Sequence, residues 1–74
     1  MTQTDAILRH LQEEGPLTPI EALNLYGCFR LAARISDIKA LGYTVETETV
    51  HAPNGKRYAR YHLIEKPVQL VVGL

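Results

Sequence analysis

The sequence predicts an α+β fold, three short helices followed by a two-stranded antiparallel β-hairpin. Three observations carry this prediction. Apolar residues recur at helical spacing through the first half, most clearly at Leu31, Ile35 and Ile38. Gly-Pro and Gly punctuation divides that half into three segments, at Gly15-Pro16, Gly27 and Gly42. After Gly42 the pattern changes to alternation with many β-branched residues, interrupted by Asn54-Gly55.

Bulk properties set the outer limits. Seventy-four residues make one domain at most. A core of that size is marginal, so association with a partner would support it. Hydrophobic content of 46% beside 22% charged residues is that of a globular chain, which argues against wholesale disorder. The single Cys28 excludes an intramolecular disulfide. The N-terminus is polar and the longest apolar run is far too short for a membrane span, so a cytoplasmic, reducing setting is expected.

The first helix is expected to be capped by Thr4 or Thr2, with Asp5 in its first turn complementing the positive helix end. Ala6, Ile7, Leu8 and Leu11 form its apolar face, and Gly15-Pro16 ends it. The second start signal is stronger. Thr18 is a good N-cap, Pro19 suits the first helical position, and Glu21 stands where a capping box needs its acid. This helix, about residues 19–25, is expected to bury Ile20, Leu23 and Ala22. A short turn through Tyr26-Gly27-Cys28 leads to the third helix, within a stretch bracketed by Gly27 and Gly42. Helix, tight glycine turn, helix is the signature of a helix-turn-helix.

The hairpin follows. Tyr43 to Val50 forms one strand, with Val45 and Thr47 on one face and Glu46 and Glu48 on the other. Pro53-Asn54-Gly55 makes the turn, since Asn-Gly accepts positive φ. Arg57 to Ile64 forms the second strand, with Ala59, Tyr61 and Leu63 toward the core and Tyr58, Arg60 and His62 away from it. The domain is thus expected to occupy residues 1–64, leaving 65–74 as an apolar C-terminal tail. That tail could pack on the core, add a strand, or make a homodimer contact.

Catalysis finds little support. His10, His51 and His62 fall on separate elements, and the chain has no HExxH, CxxC or glycine-rich phosphate loop. Ser36 lies mid-helix instead of on a sharp turn. No catalytic residue, metal ligand or cofactor is assigned, and Cys28 reads as a small packing residue rather than a reactive thiol.

Binding to a polyanion is better supported. Net charge is zero, yet residues 1–27 carry Arg9 against Asp5, Glu13, Glu14 and Glu21, whereas residues 28–62 carry six cations against Asp37, Glu46 and Glu48. In a helix-turn-helix the start of the second helix meets base edges in the major groove. Here that turn is expected to hold Phe29, Arg30 and Ala33. At about 100° per residue, Ala33, Ser36, Asp37 and Ala40 lie opposite the Leu31/Ile35/Ile38 stripe. Arg30 borders this face, where it is read as a guanine or phosphate contact in preference to a plain solvated charge. Arg34 is either paired with Asp37 or on a phosphate, and Lys39 is either a phosphate contact or a surface charge. Lys56, Arg57 and Arg60 cluster at the hairpin, which suits a wing on the DNA backbone. Glu46 and Glu48 oppose this, because cross-strand pairing would neutralise Arg57 or Arg60.

The run Leu31-Ala-Ala-Arg-Ile-Ser-Asp-Ile-Lys-Ala-Leu-Gly-Tyr-Thr-Val45, followed by Asn54-Gly-Lys-Arg-Tyr-Ala-Arg-Tyr-His-Leu63, resembles a family of small winged helix-turn-helix proteins of bacteria, phages and prophages. In that family an ARI-x-x-L-x-x-x-G-y-x-I helix end precedes a hairpin closing in Y-x-L. Ile38 stands here where Leu is usual, and Val45 where Ile is usual. The likeness covers about residues 4–64 and implies double-stranded DNA binding through the third helix and the wing. The expected function is sequence-specific or architectural DNA binding, as a phage- or prophage-type transcriptional regulator or a replication or recombination accessory factor. The alternative is a protein–protein interaction module on the same scaffold, for which zero net charge, the wing glutamates and the apolar tail argue.

Overall fold

A computed structural model describes residues 2–64. Along the chain come α1 (Gln3–Glu13), α2 (Pro19–Tyr26), α3 (Leu31–Ala40), β1 (Val45–His51) and β2 (Arg57–Leu63). This is the expected order of three helices and a hairpin. The tail, and with it the anticipated homodimer contact, lies outside the described residues.

Both early helices begin in a full capping box. Thr2 caps α1: its hydroxyl accepts from the Asp5 N–H at 3.1 Å, and its own N–H donates to the Asp5 carboxylate at 3.3 Å. Thr4, the other candidate, falls inside the first turn. At α2, Thr18 accepts from the Glu21 N–H at 3.3 Å and donates to Glu21 Oε1 at 3.0 Å. Each box satisfies two polar groups that the helix start would otherwise leave unpaired.

The core consists of Ile7 and Leu11 from α1, Ala22 from α2, Leu31, Ile35 and Ile38 from α3 and Val45 from β1, with Leu17 and Cys28 between elements. One expectation fails here. Ile20 is 61% exposed, and Ala22 is the α2 residue that is fully buried. The cause is helical phase: two residues along a helix turn the side chain through about 200°, so Ala22 and Ile20 cannot share a face. Leu23, one step further, is half-buried.

The hairpin pairs Val45 with Leu63, Thr47 with Tyr61, Glu48 with Arg60 and His51 with Arg57. Val45 is buried, and Tyr61 and Leu63 pack against the core cluster as their alternation requires. Residues 52–56 close the loop. Ala52 N–H donates to the Lys56 carbonyl at 2.8 Å, and Lys56 N–H to Asn54 Oδ1 at 3.0 Å. Gly55 supplies the positive φ, 87°.

The sequence pattern conceals one contact. Leu17, between α1 and α2, forms an antiparallel bridge to Tyr61 on the free edge of β2. Its N–H donates to the Tyr61 carbonyl at 3.0 Å, and its carbonyl accepts from the Tyr61 N–H at 2.9 Å. Its side chain is completely buried. We expect Leu17→Ala to cost about 3 kcal/mol in urea unfolding, and Leu17→Met, which conserves volume, less than about 1.5 kcal/mol. Equal losses would mean that the side chain is not the anchor.

Candidate nucleic-acid interface

The turn between α2 and α3 is built by Gly27. It adopts the left-handed conformation, φ 65°, and its N–H folds back to the Leu23 carbonyl at 2.9 Å. The Cys28 N–H then reaches the Ala22 carbonyl at 3.1 Å, which draws the Cys28 side chain into the core. Its thiol is buried and free, matching the packing role. The chain must extend through Phe29 and Arg30 before a new helix can start.

Residues 28–30 are therefore outside α3, which begins at Leu31. This corrects the expectation that Phe29 and Arg30 lie within the first helical turn. Arg30 is the N-cap, with φ −120° and ψ 69°, and no side chain caps α3. Its carbonyl accepts from Ala33 and Arg34 N–H at 3.1 and 3.3 Å. Phe29 and Arg30 both face solvent, Phe29 with 84% exposure. The uncapped, positive end of α3 thus lies beside an exposed cation.

Along α3 the expected outward face divides. Asp37 Oδ2 accepts from Arg34 Nε at 3.1 Å and from Thr4 Oγ1 of α1, also at 3.1 Å. Arg34 is half-buried. Of the two readings of Arg34, the one observed is pairing with Asp37, and the pair joins α3 to the first turn of α1. Ser36, Lys39 and Ala40 are exposed and Ala33 is half-exposed. Small residues here allow close approach of a flat or grooved surface.

On the hairpin, Glu48 collects two partners. His62 Nε2 lies 2.7 Å and Arg60 Nη1 3.5 Å from Glu48 Oε1. The hydrogen bond from His62 is the main cause that lowers the Glu48 carboxyl below its ordinary pKa, aided by the charge of Arg60 and opposed by desolvation. Arg60 is thus partly neutralised, as cross-strand pairing with a wing glutamate would do. Among the described residues, Arg30, Lys39, Lys56 and Arg57 have no ion-pair partner. Strand alternation sends Arg57 and Arg60 to opposite faces of the ribbon, yet both border one groove.

That groove, about 640 Å³, separates α2 and Phe29 from the hairpin. Ile20, Phe29 and Tyr58 give it apolar walls, while Lys56, Arg57 and Arg60 supply cations. Ile20 and Tyr58 were not among the sequence-derived site residues. The phase relation between Ile20 and Ala22 was the available signal for the first; only the assembled fold brings the second opposite α2.

Two helices joined through a left-handed glycine cap, followed by a cationic hairpin, define a helix-turn-helix with one wing, an architecture associated with DNA binding generally. The chain belongs to the winged helix-turn-helix domain family, whose model matches residues 2–66. No curated protein and no solved structure gives a significant match. Among the described residues, no helix is long and apolar enough to cross a membrane.

The Glu48 cluster makes a pH prediction. A carboxyl with a depressed pKa in the folded state stabilises that state above its unfolded value, and the effect fades as pH falls through the folded value. The Glu48 side-chain ¹³C shift should therefore titrate below the ordinary glutamate range, and His62→Ala should move the midpoint upward. An unchanged midpoint in that variant would remove His62 as the main cause.

Proposed function

We propose that this domain is a non-enzymatic, cytoplasmic double-stranded DNA-binding protein, of the kind used by phages and prophages as a transcriptional regulator or a replication or recombination accessory factor. The observation that carries the reading is the placement of the unpaired cations. Arg30 stands at the start of α3, Lys39 on its outer side, and Lys56 and Arg57 on the wing. With α3 in the major groove, Arg30 reads or orients, and the wing cations hold the phosphate backbone. Arg34 and Asp37 keep α3 fixed on α1, so their contribution to binding is positional. Ser36, Ala33 and Ala40 provide clearance.

Fluorescence anisotropy on mixed-sequence duplexes at two salt concentrations tests the proposal, and no affinity even at low salt would refute it. Replacing Lys56 and Arg57 together by alanine should weaken binding to all sequences. It should also reduce the dependence of log K on log salt by roughly 0.9 per lost phosphate contact. Glu48→Gln should act in the opposite direction, tightening binding by releasing Arg60.

A second reading, a protein-interaction module, draws on the exposure of Ile20 and Leu25 on α2. Purification from the native host that recovers DNA and no stoichiometric protein would remove it.

A further inference from the structure

We propose that Phe29 is a specificity-determining residue that reads the C5-methyl group of a thymine in the major groove, next to the position met by Arg30. The inference rests on the DNA-binding reading above and assigns one residue a chemical partner within it.

Phe29 is the most exposed large apolar side chain among the described residues, at 84%. It is not exposed because the chain is loose there. Cys28 before it is buried and tied to the Ala22 carbonyl, and the carbonyl of Arg30 after it accepts the amides of Ala33 and Arg34 in the first turn of α3. An aromatic ring is thus held in water by fixed backbone on both sides, at the start of the helix whose N-terminal residues meet base edges in this architecture.

The surroundings favour DNA as its partner over an apolar peptide. Arg30 is adjacent in sequence, and Lys56 and Arg57 stand across the groove that Phe29 borders. The nearby carboxylate, Glu21, is hydrogen-bonded into the Thr18 cap. An apolar patch of Phe29, Ile20 and Tyr58 edged by Lys56, Arg57 and Arg60 suits a ligand that is anionic at its edges and offers an apolar group between them. In the major groove that group is the thymine methyl, which the other three bases lack.

Deoxyuridine removes the methyl and nothing else, so a two-by-two comparison isolates the contact. Duplexes selected by the full chain from a randomised pool would be remade with deoxyuridine in place of each thymidine in turn, and the whole pool remade with deoxyuridine throughout. Wild-type protein should lose about fourfold in affinity at one thymine position, the worth of one methyl-sized group. Phe29→Ala should bind the thymidine duplex about as weakly as wild type binds the deoxyuridine duplex, and should not distinguish the two. Its thermal unfolding should match wild type, since the ring makes no core contact. Equal wild-type affinity for thymidine and deoxyuridine duplexes would overturn the inference while leaving DNA binding intact, as would a Phe29→Ala variant that still discriminates. Failure of wild type to bind any duplex would overturn the DNA-binding reading and this inference with it.

Discussion

The two backbone hydrogen bonds between Leu17 and Tyr61 are the constraint on which the arrangement depends. A two-stranded hairpin is marginal by itself in water. Leu17 offers a third edge: it binds the inner strand by its backbone and the helical core by its side chain. Thr18, next in sequence, begins the capping box of α2. The position of the wing and the start of the helix-turn-helix are therefore set by neighbouring residues. The two are coupled through the backbone of Leu17 and Thr18, which borders the groove between them.

A similar economy governs the far end of α2. Gly27 turns left-handed, Cys28 is drawn inward, and the next two residues have no remaining route except across the surface. Arg30 thereby becomes both the cap residue of α3 and an exposed cation. Burial of a small thiol and presentation of Phe29 and Arg30 are one event, because they occupy consecutive positions of a chain that must leave one helix and enter another within four residues.

Much of this was legible in the sequence. The Thr18/Glu21 box, the Leu31/Ile35/Ile38 stripe, the change of period after Gly42 and the Asn54-Gly55 turn are local signals, and each produced the predicted element. The errors arose where local rules compete. Ile20 looked like core because it is apolar, but the phase of α2 favours Ala22. Phe29 and Arg30 looked helical because an apolar stripe lies just beyond them, but the left-handed cap of α2 requires extended chain. Leu17 was invisible to periodicity, since a single bridged residue has no period. The α2–wing groove joins residues as distant in sequence as Ile20 and Tyr58, and the tertiary pairing through Leu17 helps bring them together.

Zero net charge would ordinarily weaken the case for a nucleic-acid partner, but the sum conceals how the charges are distributed. Arg9 is paired with Glu13, Arg34 with Asp37, and Arg60 with Glu48. Asp5 and Glu21 serve the helix caps. These acids are occupied within the fold, largely on α1 and α2, whereas Arg30, Lys39, Lys56 and Arg57 remain on α3's approaches and the wing. Electrostatic attraction to DNA falls off within roughly a Debye length, about 8 Å at physiological salt. What a phosphate senses is therefore the local set of unpaired charges, in which exposed Glu46 on β1 counts against the cations, not the sum over the chain. Glu48 tempers that set by holding Arg60, so the wing is less positive than a fully basic hairpin would be. A domain that relied on charge alone would bind every duplex alike; on the DNA-binding reading proposed above, few free cations leave more of the affinity to side chains such as Phe29 and Arg30 at the start of α3.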